Sequence, residues 1–228
     1  MKKLLALLLV LFLALPAFAE APLSAEVYVS ISDDAGVLVL AYVPVAVTDA
    51  DGDGALTLCD ALIAAHAAHH PDGAEGFAVA PSQYGLSLMK LWGVENGGSY
   101  GYYLNDASAW SLADPIAEGD HVKVYAFTDL MAWSDAYSFF AAPAAEAVVG
   151  AEVQLTLSAA GYDEMWNPVT LAVSGAVITV NGEKTEIVTD ETGAAVLTFA
   201  EPGVYVVSAA HEAMTLVPPV CIVTVTAE

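Results

Sequence analysis

The feature that most constrains the fold is the alternation of apolar and polar residues between closely spaced turns in residues 152–226. Short runs with period two, such as Glu152–Ser158 and Val204–Ala210, are separated by turn sequences such as Asn181-Gly182. This alternation is typical of strands with one buried face. About seven short strands within about 80 residues predict an Ig-like β-sandwich, which we assign to residues 147–228.

The preceding segment, residues 20–142, has a mixed pattern that predicts an α+β domain. Glu26–Ser32 and Val37–Val47 alternate like strands, and an Ala-rich run at residues 58–70 predicts a single helix that ends before Pro71. Aromatic strands follow the helix, which gives the order β-β-α-β-β. A small, Pro-containing segment at residues 141–150 is the predicted linker between the two domains.

The N-terminus has the pattern of an export signal. Two lysines precede an apolar run, and the small-x-small ending Ala17-Phe18-Ala19 predicts a signal peptide at residues 1–19. The alternative is an uncleaved membrane anchor, which the shortness of the apolar run disfavours. No second apolar span follows, so we predict no membrane span after signal removal and a secreted or cell-surface location.

Composition excludes several classes of protein. The chain has 28 acidic residues, only 5 lysines or arginines, and a net charge of −23, so it lacks the basic footprint that nucleic-acid binding requires. Its 57% hydrophobic content excludes disorder. The two cysteines, Cys59 and Cys221, permit at most one disulfide, and two separately buried thiols are the favoured alternative.

Residues 49–60, DADGDGALTLCD, match the twelve-residue EF-hand calcium loop. The predicted ligands are Asp49, Asp51, Asp53, the carbonyl of Ala55, a water held by Thr57, and Asp60. The loop departs from a standard EF-hand because position 12 is Asp and no helix precedes it. It resembles the single calcium loops of dockerin modules, which implies calcium as the cofactor. The alternative is an acidic turn without an ion.

A histidine group and an aromatic group are weaker candidates for sites. His66, His69 and His70 have helical spacing that suits either a zinc or copper site, as in a metal-dependent hydrolase, or the end of a helix. The aromatic group suits either ligand stacking or a core hairpin. Its members, the tentative ligand-binding residues, are Trp92, Tyr100, Tyr102, Tyr103, Asn105 and Trp110. We find no motif for a nucleophile, base and acid, so we expect no enzyme.

Two segments, Gly98–Asn105 and Ala117–Val124, resemble the bacterial domain family similar to the C-terminal domain of transcobalamin. The resemblance covers about residues 25–130 and implies a β-grasp-like fold, with a corrinoid as an implied ligand. Residues 189–205 look like bacterial Ig-like and prealbumin-like extracellular modules, which act as spacers or adhesion domains.

These observations predict a mainly β protein: an α+β, β-grasp-like domain with one helix, followed by an Ig-like β-sandwich. We expect a secreted or cell-surface, non-enzymatic binding or adhesion protein with a structural calcium site and an extracellular ligand or surface protein as its partner. The alternatives are an extracellular binder of a corrinoid or other small molecule, and a metal-dependent hydrolase.

Overall fold

The computed structural model describes residues 23–227, so the predicted signal peptide at residues 1–19 lies outside the described residues. The first half of the chain contains one α-helix, α1 (Leu58–His69), and a short 3₁₀ turn at Gly73–Gly76. Its strands are β1 (Ser24–Ser32), β2 (Leu38–Thr48), β3 (Ala78–Ser82), β4 (Gly85–Lys90), β5 (Tyr100–Leu104), β6 (Ala107–Ser108) and β7 (His121–Ala126).

The main sheet of the first half has the strand order β2-β1-β7-β5-β6. Its central pair, β1 and β7, is parallel, whereas β1 with β2 and β5 with β7 are antiparallel. Strands β3 and β4 form a separate hairpin. A mixed sheet of this order, with one helix packed on it, is the arrangement expected of a β-grasp-like domain, and this part of the predicted fold class is confirmed.

Helix α1 packs on the sheet through residues with helical spacing. Leu58, Ala61, Leu62 and Ala65 have no exposed surface, and their i, i+3, i+4, i+7 pattern forms the apolar face of a helix. His70, which precedes Pro71, has extended backbone angles (φ −75°, ψ 139°), as expected for a residue before proline. The helix therefore begins and ends close to the predicted residues 58–70.

The second half is a β-sandwich, as predicted. One sheet has the order β11-β10-β8-β16, with β14 also paired to β10, and the other has the order β13-β12-β15-β17-β9. The strands are β8 (Ala136–Phe140), β9 (Ala144–Val148), β10 (Glu152–Tyr162), β11 (Pro168–Ala172), β12 (Val177–Val180), β13 (Glu183–Val188), β14 (Ala194–Thr198), β15 (Gly203–Ala210), β16 (Leu216–Val217) and β17 (Cys221–Thr226).

The core of the sandwich follows from the period of two in its strands. In β10 the residues Val153, Leu155, Leu157 and Ala159 are buried in the core between the sheets, and the residues between them in this stretch are exposed or partly buried. Successive side chains of a strand point to opposite faces, so this alternation places every second residue in the core.

The division between the two halves differs from the predicted one at residues 142–147. Strand β8 lies before that boundary but pairs with β10 and β16 of the sandwich, so the second domain begins near Ala136. The predicted linker at residues 141–150 contains β9, which pairs with β17 in parallel. Its small side chains resemble a linker, but Ala145 and Ala147 pack against the sandwich core.

Within residues 23–227, no helix combines the length and apolar character needed to cross a membrane.

Candidate functional site

Three of the six predicted calcium ligands lie together. Asp49, Asp51 and Asp53 occupy the loop between β2 and α1, and each offers a carboxylate oxygen within 4.8 Å of the others. Asp51 and Asp53 are exposed, and Asp49 is partly buried. Carboxylate oxygens are the hard ligands that Ca²⁺ prefers. The donor set therefore suits a calcium ion, and the three negative charges would repel one another less with a cation between them.

The loop is folded by hydrogen bonds to its own carboxylates. Asp49 accepts bonds from the backbone amides of Gly52 (2.7 Å), Asp53 (3.2 Å) and Gly54 (3.0 Å). Asp53 in turn accepts a bond from the amide of Ala55 at 2.8 Å. Gly52 and Gly54 have φ angles of 76° and 88°, which glycine adopts without the strain that a Cβ would introduce. The chain can therefore turn around the three carboxylates.

Asp60, the predicted closing ligand, makes a different set of contacts. It is 1% exposed, its Oδ1 accepts a bond from the amide of Ala50 (2.8 Å), and its Oδ2 accepts bonds from the amide and hydroxyl of Thr57. Thr57 caps the amide of Asp60 in return, which makes a capping box at the start of α1. Thr57 and Asp60 therefore connect the loop to the helix. The Thr-x-x-Asp spacing before an apolar run was a signal for this cap in the sequence.

The three helix histidines do not form a metal site in the structure. His66 is fully buried; its Nδ1 lies 2.7 Å from the carbonyl of Leu62, and its Nε2 accepts a bond from the amide of Trp92 at 3.0 Å. Because an amide N–H can only donate, the ring is neutral with its proton on Nδ1. Burial lowers the pKa of His66 to about 4.

Both nitrogens of His66 are thus bonded to the backbone, which leaves neither for a metal. Among residues 23–227, the loop aspartates are the only group of three or more His, Cys, Asp or Glu side chains placed to hold an ion. The convergence of the histidines with a carboxylate, which the hydrolase alternative would need, does not occur in this part of the chain.

The predicted aromatic group is divided between the two faces of β5. Tyr100 and Tyr102 pack with the core of the first domain, and the Tyr100 hydroxyl lies within hydrogen-bond distance of the carbonyls of Met89 and Val94. Tyr103 lies on the opposite face, against the second domain. Neighbouring residues of a strand point to opposite faces, so these tyrosines do not line one surface.

The other members of the group also lie apart. Trp110 is 94% exposed on the loop after β6, whereas Trp92 packs against His66 and His70. Asn105 has a structural role: its Nδ2 donates to Asp120 (2.8 Å) and its Oδ1 accepts from the amide of His121 (2.9 Å). These bonds give a physical reason for the Asn and Gly-Asp motifs that carry the transcobalamin resemblance, because they join the turn after β5 to the start of β7.

The two cysteines are free thiols in separate cores. Cys59 belongs to the core of the first domain, and Cys221 to that of the sandwich. Burial raises the pKa of each thiol to about 11. The alternative of a cross-domain disulfide is therefore not what the structure contains.

An aromatic cluster joins the two domains. Tyr103 stacks on Tyr137 with an angle of 3° between the ring planes, and the Tyr137 hydroxyl donates to Asp106 at 2.6 Å. Lys123 is buried beside them; its Nζ donates to the carbonyl of Ser138 (2.6 Å) and lies 4.7 Å from the centre of the Tyr137 ring. Burial lowers the pKa of Lys123 to about 7. The contacts of Tyr103 thus hold the domains together.

Two loops, one that leads into β8 and one that follows β10, expose large apolar side chains that the sequence reasoning missed. We call residues 129–135 and 163–167 the aromatic loop pair. Met165 is 78% exposed, Trp166 80%, and Met131 92%. Leu130, Trp133 and the adjacent Tyr162 are also exposed. The signal available in the sequence was the presence of Met and Trp within segments that begin with a turn-forming Asp.

Both loops are held by an aspartate in the same way. Asp129 accepts bonds from the amides of Met131 and Ala132 (both 3.0 Å), and Asp163 accepts bonds from those of Met165 and Asn167 (both 2.8 Å). The hydroxyl of Ser134, together with these backbone amides, lowers the pKa of Asp129 to about 2. The exposed Met and Trp residues are therefore presented by ordered turns.

The strand register places the two loops at the same end of the sandwich. Strands β8 and β10 are antiparallel, with Ser138 opposite Ala159. The residues that precede β8 therefore leave the sheet at the same end as those that follow β10. The aromatic loop pair thus groups its apolar side chains at one end of the sandwich.

No protein-family model matches the chain, and a search of curated proteins found no match. Among solved structures, the tandem Ig repeats of Dlar are similar at 10% identity and a TM-score of 0.31, covering 91% of this chain and 98% of that one. The N-terminal Ig1-2 module of the Drosophila receptor protein tyrosine phosphatase DLAR is similar at 11% identity and a TM-score of 0.27, covering 66% and 75%. Likeness at these TM-scores carries no weight for function.

Proposed function

We propose that the chain is an exported, non-enzymatic binding protein of the adhesion type, with a structural calcium site at residues 49–60. The observation that carries the binding function is the aromatic loop pair, in which two aspartate-capped turns expose Met and Trp at one end of the sandwich. The partner is an extracellular ligand or surface protein.

The physical case for a binding surface is that Met131, Met165 and Trp166 are each at least 78% exposed. Large apolar groups exposed together mark interaction sites more often than scattered ones do. Trp is enriched among the residues that dominate binding energy. Asp129 and Asp163 already order the two turns, so binding would cost less conformational entropy than it would for flexible loops.

A photo-crosslinker at this surface tests the proposal. We would replace Met165 with p-benzoylphenylalanine and irradiate the protein on the surface of the producing cells or on their extracellular matrix. We expect covalent adducts from position 165, and their loss when Trp166→Ala is added. The control position is Tyr84, which is 86% exposed in the hairpin of β3 and β4.

The matched control for Trp166→Ala is Trp110→Ala, since Trp110 is even more exposed but lies in the first domain. We expect both variants to melt like the parent protein, because neither side chain is buried. Adducts of equal yield from positions 84 and 165, or adducts indifferent to Trp166→Ala, would contradict a binding role for the aromatic loop pair.

The calcium role is proposed as structural. Asp49, Asp51 and Asp53 would supply carboxylates and Ala55 its carbonyl, as the EF-hand spacing predicts. Asp60 holds both the Ala50 amide and the cap of α1, so an ion that orders the loop would also order the start of the helix. Calcium would then stabilise the junction between β2 and α1.

The corrinoid alternative has no structural observation in its favour. The predicted tyrosines lie on two faces of β5, and Trp110 is exposed away from Tyr100 in the core. The hydrolase alternative is likewise without support, because both ring nitrogens of His66 are hydrogen-bonded to backbone groups.

A further inference from the structure

A cleft of about 570 Å³ lies between the two domains, and none of its lining residues belongs to the aromatic loop pair. Its volume is in the range of typical ligand sites, and such sites are common at domain boundaries. The first domain contributes the beginning of β2, and the second contributes β12, β15 and the turn at Asn181-Gly182.

One wall of the cleft is the free edge of β2. Leu38 and Val39, consecutive residues of β2, both line it together with Gly36 and Val37 of the preceding turn, although the side chains of a strand alternate between faces. Consecutive residues can share one wall only where the edge of the strand faces the cleft. Within the described residues β2 pairs with β1 alone and is the last strand of its sheet.

The hydrogen-bond pattern directs backbone groups into this cleft. The amide of Asp33 donates to the carbonyl of Val37 at 3.0 Å, and this bond lies next to the opposed residues Ser32 and Leu38, whereas the amide of Val37 donates to the Asp33 carboxylate at 2.8 Å. Bonded and non-bonded pairs alternate in an antiparallel ladder, so the backbone groups of Leu38, opposite Ser32, point away from β1. An edge with unpaired N–H and C=O groups is a template for another strand.

The opposite wall is the outer face of the sandwich and consists mainly of small side chains. In β15 the residues Val206, Ser208, Ala209 and Ala210 line the cleft; of these Ala209 belongs to the sandwich core, as does Val207, which does not line the cleft. Thr179 of β12 extends this face. A strand added to β2 could therefore rest its side chains on a face that leaves room for them.

The cleft carries a positive charge, whereas the molecule as a whole is strongly negative. Lys184 is the single charged residue among those that line it, in a chain of net charge −23. Of the other lysines in the described residues, Lys90 is paired with Glu95 at 3.1 Å and Lys123 is buried. No ion pair within the described residues involves Lys184. This ammonium group can therefore bind a carboxylate.

We propose that this cleft binds an extended peptide segment, which adds to the free edge of β2 as a further strand and places a carboxylate near Lys184. Backbone hydrogen bonds to the edge of β2 would give affinity, and the side chains that line the cleft would select among the alternate side chains of the peptide. Leu38–Ala41 would accommodate about four residues at about 3.3 Å per residue. The inference rests on the proposed binding function and names the chemistry of a partner.

The test is a selection from a random octapeptide library displayed with free C-termini, on the full chain without its signal. Selected peptides would be synthesised as free acids, as amides, and with N-methyl groups at alternate residues. We expect the acids to bind the parent protein, and Ser208→Trp, which fills the cleft, to weaken them at least tenfold. Alternate N-methylation should weaken them as strongly, because it removes the donors that a strand needs.

Two further variants sharpen the test. Lys184→Gln should weaken the acids several-fold and leave peptides without a carboxylate unaffected. Val204→Trp is the matched control for Ser208→Trp, because it lies on the same face of β15 outside the cleft and should leave binding unchanged. A selection without enriched peptides, or peptides that bind Ser208→Trp as well as the parent, would overturn the inference.

Failure here is distinguishable from failure of the proposed function. Peptides that depend on Trp166 but not on Ser208 would remove the cleft proposal and leave the aromatic loop pair as the binding surface. If position 165 gives no crosslinks while peptides still bind in the cleft, the aromatic loop pair is excluded as the binding surface and the cleft remains.

Discussion

At the scale of single residues, His66 and His121 have roles that follow from their hydrogen bonds. His66 bridges the carbonyl of Leu62 and the amide of Trp92, and His121 Nε2 lies 2.9 Å from the hydroxyl of Ser30. Burial lowers the pKa of His66 to about 4, and burial together with Lys123 lowers that of His121 to about 3. Both rings are therefore neutral parts of the first domain.

The first prediction is that acid destabilises the protein before its carboxylates titrate. The unfolded chain binds a proton at each histidine below about pH 6.5, whereas folded His66 stays neutral down to about pH 4. Stability is thus fully present above pH 6.5 and is lost as the pH falls toward 4. For His66 the loss is about 3 kcal/mol, at about 1.4 kcal/mol per unit of pKa shift.

Urea unfolding at pH 7, 5.5 and 4 measures this loss. His66→Gln should show a smaller fall between pH 7 and pH 4 than the parent does, and the exposed His69→Ala should not. Equal slopes for His66→Gln and the parent would mean that His66 is not held neutral.

At the scale of elements, the face of β5 toward the second domain requires a large residue at one position and glycine at another. Tyr103 on one face stacks on Tyr137, and Gly101 on the same face lies beneath the ring of Tyr125. A Cβ at position 101 would overlap that ring. The glycine therefore leaves room for the Tyr125 ring on the face of the sheet that packs against Tyr137 of the second domain.

The second prediction concerns this glycine. Gly101→Ala should lower the free energy of unfolding by about 1–3 kcal/mol, the usual cost of overpacking. Gly203→Ala in β15 is the control, because its new Cβ would meet nothing closer than the Tyr205 ring at 3.5 Å. Thermal and urea unfolding of both variants measure the difference. Equal stability of the two variants would refute close packing at Gly101.

The elements also show what the sequence could and could not predict. Period two predicted the strands of the sandwich, and the Ala-rich run before Pro71 predicted α1, because both signals are local. The membership of β8 in the sandwich and the pairing of β9 with β17 depend on distant partners, so no local pattern revealed them. The tyrosines of β5 were predicted as one group, although the period of two in a strand, which is a local signal, places Tyr103 on the opposite face from Tyr100 and Tyr102.

At the scale of the whole molecule, the two domains are joined by buried contacts rather than by a flexible linker. Tyr103, Lys123 and Tyr137 pack across the boundary, and Lys123 donates to the carbonyl of Ser138 in β8. A fixed relation between the domains would keep the cleft beside β2 in one shape. If calcium stabilises the β2–α1 junction, the fixed contact between the domains would also transmit that stability to the second domain, which carries or adjoins both proposed binding surfaces.

The candidate calcium loop was predicted from the spacing of its aspartates, and the structure adds how the loop is connected to α1. The sequence located Asp49, Asp51 and Asp53, which lie within 4.8 Å of one another. Asp60 was predicted only as a calcium ligand, although the Thr-x-x-Asp spacing also indicates the helix cap through which Asp60 connects the loop to α1. The role of this loop in the whole molecule is the central claim.

Calorimetric titration of Ca²⁺ into EDTA-stripped protein tests that claim most directly, with melting curves of the same samples. We predict one site with a dissociation constant below about 1 mM and a melting temperature that rises with calcium. Asp51→Asn combined with Asp53→Asn should abolish both effects, whereas Asp34→Asn together with Asp72→Asn, which remove the same charge outside the loop, should abolish neither. No heat of binding, together with a melting curve indifferent to calcium and EDTA, would contradict the account.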